Sequence, residues 1–146
     1  MATTMSKQER EAFLAGVHVG VLSIAQEGEA PLAVPVWYSY TPGGEVHIVT
    51  GGSTRKAKAV RRAGQLSLCV QDEAPPYRYV SVSGAVTTLD GVDVERDLRP
   101  LARRYLGLEG GDQWIEQNGG SSAGQGDVLI RMRPQSWLSA DFGKGA

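Results

Sequence analysis

The segment with the strongest chemical signature runs Thr50-Gly51-Gly52-Ser53-Thr54-Arg55-Lys56. Two glycines free the backbone, hydroxyls offer hydrogen bonds, and two cations open a helix-forming stretch. The first N–H groups of a helix have no partner inside it, and the helix dipole adds partial positive charge at the same end. A glycine-rich turn leading into such an end is how proteins bind phosphate.

A helical wheel refines this. At ~100° per residue, Ala57, Ala59, Val60 and Ala63 define an inward arc, and Arg55, Lys58, Arg61 and Arg62 fall opposite. Lys56 alone among the basic residues points inward. The dipole disfavours a cation at that end, so an inward Lys56 there asks for an anion. Arg61 and Arg62 read as a solvated face. The run is too short, and too poor in aromatics, for a nucleic-acid footprint.

Other chemistry is sparse. There is no CxxC, HExxH, G-x-S-x-G or Walker motif, and His18 and His47 fall on separate strands with no nucleophile beside them. Metal sites and hydrolase triads are therefore not expected, and no side chain is singled out as catalytic. Three stretches could wall a pocket: Val34-Pro35-Val36-Trp37 on a strand, Pro75-Pro76-Tyr77-Arg78-Tyr79 at a strand start, and Trp137 near the C-terminus.

These groups need a scaffold. Ser6-Lys7-Gln8-Glu9 has capping-box spacing and predicts a helix over 6–15. Strands are expected over 17–25, 31–40, 45–50, 65–71, 77–89, 127–133 and 136–142, with Pro35 marking its strand as an edge or bulge. A short helix over 54–63 ends at Gly64. Residues 92–108 read as helix interrupted at Pro100, either by a kink or as two short helices with Pro100 at the first position of the second, and 112–118 as a further turn of helix. Seven strands with short helices between them make a mainly β, α+β domain, a small antiparallel barrel or half-barrel spanning 1–146.

Composition sets the bounds. In 146 residues there are 15 Lys+Arg against 16 Asp+Glu, for a net charge of -1. That balance is a cancellation, since 55–62 holds five basic residues and no acid, while acids gather over 90–97. The 19 glycines suit a turn-rich β fold. One cysteine, Cys69, excludes an internal disulfide and reads as a small hydrophobe in a strand. No run approaches the ~18 apolar residues of a membrane helix, and no signal core follows the N-terminus. The expectation is a cytoplasmic protein with neither nucleic acid nor membrane as partner.

The order of an early strand, a Pro-x-Trp strand, Thr50-x4-Arg55-Lys56, Tyr77-Arg78-Tyr79-Val80-x-Val82-x-Gly84 and Pro134-x-x-Trp137 resembles the pyridoxamine 5′-phosphate oxidase-like, flavin-binding split β-barrel proteins. Within them the chain is most similar to the actinobacterial branch dependent on the deazaflavin coenzyme F420. The resemblance implies a homodimer with cofactors in grooves at the dimer interface. It places Val34, Pro35, Val36 and Trp37 beside the tricyclic ring. It makes Arg55 and Lys56 ligands of the phosphate or the oligoglutamate tail, with Thr50, Gly51, Gly52, Ser53 and Thr54 as backbone and hydroxyl donors. Lys58, Tyr77, Arg78 and Tyr79 complete the implied cofactor site.

Departures from the family pattern narrow the function. The Arg and Lys that flank the ring-side strand in true pyridoxamine phosphate oxidases are here Val34 and Ser39. Their partner-strand Gln is Tyr79, and their Arg-x-His-Asp-Arg signature has no counterpart after Trp137. F420, with its longer anionic chain, suits the basic helix better than FMN. The implied activity is hydride transfer from reduced F420 to a conjugated small-molecule acceptor; the alternatives are an FMN oxidoreductase and a non-catalytic flavin or F420 carrier.

Overall fold

The computed structural model describes residues 3–144. A first helix, α1 (Lys7–Ala15), opens on the capping box: Ser6 Oγ accepts from Glu9 N, and Ser6 N donates to Glu9. Eight antiparallel strands follow: β1 (Gly20–Ile24), β2 (Leu32–Val36), β3 (Ser39–Tyr40), β4 (Val46–Gly51), β5 (Gln65–Gln71), β6 (Arg78–Gly91), β7 (Asp127–Met132) and β8 (Ser136–Asp141). Helix α2 (Arg55–Ala63) joins β4 to β5, and α3 (Arg99–Gln117) lies between β6 and β7. The strand order is β2-β1-β5-β6-β7-β4-β3, with β8 also on β6, so one curled sheet forms a half-barrel. No helix among the described residues is long and apolar enough to cross a membrane.

The curl turns on β6. Its first half pairs with β5 and β8, its second half with β7, and the register slips between Val86 and Thr88. The β7–β8 corner therefore crosses over β6. It does so at Gly84, where a Cβ would lie 1.7 Å from the Arg133 carbonyl oxygen. Only glycine lets two backbones meet so closely. Arg133 N and Gln135 N donate to Ala85 O and Ser83 O on either side, locking the corner in place.

The pleat sorts side chains by face. The cross-strand row Val34–Leu22–Leu68–Val82–Trp137 points into the core, with Leu22, Leu68 and Val82 fully buried. The next row, Pro35–Val21–Cys69–Ser81–Leu138, lies on the opposite face. That face is small and apolar yet open, with Val21 45% and Leu138 62% exposed.

Two elements differ from the sequence reading. The strand expected over 31–40 is two strands, because the Tyr105 hydroxyl accepts from Tyr38 N at 3.0 Å and lies 3.1 Å from Tyr38 O, taking both groups out of the ladder. Pro35 does fall on an edge strand, β2. The second helix expected to begin at Pro100 does begin there, within one residue, as α3, but a further break at Gly107, whose φ is 82°, interrupts it. Pro100 sits in the first turn of α3, where a missing N–H costs nothing. A π-helical turn (Val94–Leu98), capped by Asp93, leads into it.

Two substitutions on one strand test the crossing. Gly84→Ala should cost about 3 kcal/mol or more in urea unfolding, or prevent folding. Gly91→Ala, whose Cβ meets nothing within 4 Å, should change stability by no more than about 0.5 kcal/mol.

Candidate functional site

The start of α2 is built from the end of the β4–β7 ladder. Gly51 pairs with Asp127, and Gly52 N donates to Gly126 O at 2.9 Å. A Cβ on Gly52 would meet that same carbonyl at 2.7 Å, so the second glycine is required by close approach. Thr54 then caps the helix. Its hydroxyl accepts from Ala57 N at 3.3 Å and donates to Gly51 O at 2.7 Å, while its own N–H donates to Gly51 O. Lys58 N makes the first intrahelical bond, to Thr54 O.

This leaves an identifiable set of donors. The amides of Ser53, Arg55 and Lys56 have no acceptor among the described residues; Arg55 and Lys56 open the first turn of α2, and Ser53 directly precedes its cap. Ser53 is exposed, and its hydroxyl is also uncommitted. The wheel holds: Ala57, Ala59 and Val60 are buried, and Lys56 is half-buried without an ion pair among the described residues.

Three expectations change. Thr54 offers neither hydroxyl nor amide to a ligand, because both are consumed in the cap. Gly52 likewise uses its N–H on Gly126. Arg61 is more than a solvated face, since its Nη1 donates to Gly52 O at 2.7 Å and holds the glycine loop against the helix. Nothing local in the sequence announces that bond between residues nine apart. Thr50, on the inward row of β4, is buried.

Beside this loop, α2 and the 26–29 turn enclose a cavity of about 540 Å³. Arg55, Lys58 and Arg62 line one wall, Glu27 and Glu29 the other. Arg62 and the two glutamates are functional candidates the sequence reading passed over. The signal was available for Arg62, which lies one helical repeat from Arg55 on the same stripe.

The remaining candidates lie apart from this cavity within one chain. Val34 and Val36 pack inward on β2 while Pro35 faces out. Trp37 is turned under α3, stacked on Tyr105 at 5.0 Å between ring centres and 5.7 Å from Trp114. Tyr77 precedes β6 and Arg78 and Tyr79 begin it, and Tyr79 pairs with Gln71 at the end of β5 remote from α2. That distance is about 20 Å along the strand. Arg78 lies over Phe13 at 4.8 Å, bonds Asp72 at 2.7 Å, and lines a separate cleft with His18 and Asp141.

The histidines and the cysteine have structural surroundings. His18 Nε2 bonds Phe13 O at 2.9 Å. Burial, with Arg131 nearby, pushes His47 below the usual imidazole value. Burial alone raises the Cys69 thiol, which disfavours the nucleophilic thiolate. No group of three or more His, Cys, Asp or Glu residues is placed to hold a metal among the described residues.

The curled antiparallel half-barrel with short helices defines a split-barrel α+β fold. The family model described as pyridoxamine 5′-phosphate oxidase matches residues 6–139, and the chain belongs to that family. An F420H(2)-dependent biliverdin reductase of Mycobacterium tuberculosis (strain CDC 1551 / Oshkosh) is 27% identical over 105 residues, covering 70% of this chain and 74% of the relative. Among solved structures, an F420 reductase superposes with a TM-score of 0.71 at 19% identity, over 88% of this chain and 94% of its own. A FAD-binding protein from Mesorhizobium loti gives 0.71 at 19%, over 97% and 98%. These two share the fold.

The local assignments are separable. Thr54→Ala should lower stability by about 1 kcal/mol through loss of the cap, measured by urea unfolding. Ser53→Ala, one residue away, should leave stability within about 0.5 kcal/mol of the parent. Equal losses at the two positions would contradict the division of labour described.

Proposed function

We propose that the protein is a cytoplasmic, homodimeric F420-dependent oxidoreductase acting on a conjugated small-molecule acceptor. The observation that carries this reading is the cluster in sequence of three amides without acceptors, from Ser53, Arg55 and Lys56 at the α2 start, together with a half-buried Lys56 side chain that has no ion pair among the described residues. Such a set stabilises an anion through charge-assisted hydrogen bonds at a helix start. Phosphate is the group it fits. The additional cations Arg55, Lys58 and Arg62, which line the neighbouring cavity, favour a ligand whose negative charge continues beyond one phosphate. The F420 dependence named for the mycobacterial relative supports the same choice.

When bound in its reduced form, F420 supplies a hydride to the acceptor. The chain's part is binding and placement. The α2 start holds the phosphate, Gly51 and Gly52 allow the backbone to approach it, and Arg61 and Thr54 keep the loop in shape. Fixing one end of a long cofactor against a rigid strand end restricts where its reactive ring can lie. A proton reaching the acceptor from solvent asks for no acid or base from the chain.

The homodimer is proposed from the open sheet face. The row Pro35–Val21–Cys69–Ser81–Leu138 is small and largely apolar, with Val21 and Leu138 exposed among the described residues. A second copy on that face would cover its exposed apolar surface. It would also supply the other half of the implied ring site, since Tyr77–Tyr79 and the α2 start lie far apart in one chain. Leu138→Asp should leave the far-ultraviolet circular dichroism unchanged and raise the dimer dissociation constant at least about tenfold, seen by analytical ultracentrifugation.

Cofactor choice is tested by calorimetric titration with F420 and with FMN. The parent should bind F420, and Lys56→Ala should weaken that binding by about tenfold or more. Preferential binding of FMN would overturn the F420 reading in favour of a flavin enzyme. Binding of reduced F420 without oxidation by any of a panel of quinones, enones and tetrapyrroles would reduce the protein to a carrier.

A further inference from the structure

The cavity beside α2 carries opposed charges on its two walls. Arg55, Lys58 and Arg62 stand on one side, and Glu27 and Glu29 on the other. Among the described residues one pair spans it: Arg55 Nη2 lies 3.8 Å from Glu29 Oε2, with the two side chains 66% and 62% exposed. The turn that presents Glu29 is held by its own bonds. Gln26 Nε2 donates to Ala30 O at 2.9 Å, and Glu29 N donates to Gln26 O at 3.4 Å. Glu29 therefore stands at the cavity independently of Arg55, and the pair is long, exposed and easily separated.

We propose that Glu29 is a specificity-determining residue of this site, a displaceable counter-ion that holds Arg55 until an external anionic group takes its place. This rests on the F420 reading of the α2 start. The phosphate is bound by the amides of Ser53, Arg55 and Lys56, which Glu29 does not touch. A ligand ending at its phosphate leaves the Arg55–Glu29 pair in place. A ligand with carboxylates beyond the phosphate enters the cavity, displaces Glu29 from Arg55, and is repelled by both glutamates while it is held by Arg55, Lys58 and Arg62. Glu29 thus sets how strongly the site rewards a tail of added negative charge, and it caps that reward.

The test uses Glu29→Gln and Glu27→Gln, with calorimetric titration of F420 carrying its oligoglutamate tail and of its tail-free phosphorylated fragment. Glu29→Gln should tighten binding of the tailed form about fivefold at low salt, with the gain shrinking toward 1 M salt as charges are screened. The tail-free fragment should bind parent and variant alike. Glu27→Gln, which removes a wall charge but no ion pair, should have the smaller effect.

Equal tightening of both ligands, no change in either, or equal effects of the two substitutions would overturn the role of Glu29. Failure of the parent to bind either ligand would be a different result, overturning the F420 reading and this inference with it. The parent titration comes first and tells the two failures apart.

Discussion

The fold depends on one backbone crossing. The β7–β8 corner passes over β6 at Gly84 with a carbonyl where a side chain would begin. Because of that crossing, β6 belongs to two parts of the sheet, pairing with β5 and β8 before it and with β7 after it. The sheet must then curl instead of remaining flat. Curling closes Leu22, Leu68, Val82 and Ile130 into one core and leaves the opposite face of β1, β5, β6 and β8 uncovered. Both the interior and the unpartnered exterior thus trace to a single glycine.

The curl also dictates where α2 must run. Strands β4 and β5 are consecutive in the chain but separated in the sheet by β7 and β6. The connection between them has to cross the half-barrel, and α2 makes that crossing, packing Ala57, Ala59 and Val60 inward. Small side chains suit a helix lying close across a curled sheet. Its N-terminus then falls at the end of the β4–β7 ladder, where Gly52 docks on Gly126. The free amides at the start of α2 are a consequence of this path, because the chain leaves the β4 strand end abruptly and enters the helix within three residues.

The sequence reading succeeded where the determinants are local. The capping box at Ser6, the stop at Gly64, the limits of β5 and the inward placement of Lys56 follow from spacing over one or two helical turns. It failed where residues distant in sequence intervene. The Tyr105 hydroxyl splits the 31–40 strand from 67 residues away, beyond the reach of any pattern around Pro35. Pro100 does mark a helix start, in the first turn of α3, but the second break, at Gly107 with its positive φ, falls inside a stretch that reads as continuous helix. At the candidate site, the glycine turn leading into a helix start was readable, but which donors remain free was not. Thr54 and Gly52 are consumed by bonds to Gly51, Ala57 and Gly126 that only the folded backbone defines.

The central claim is that three amides at the start of α2 hold the phosphate of the cofactor. Backbone ¹⁵N–¹H correlation spectra recorded while F420 is added test it most directly. The account predicts that the largest shifts fall on Ser53, Arg55 and Lys56, with Gly52 and Ala57, already bonded within the protein, moving less. Saturable binding with those three amides unmoved, and the shifts gathered on another surface, would contradict it.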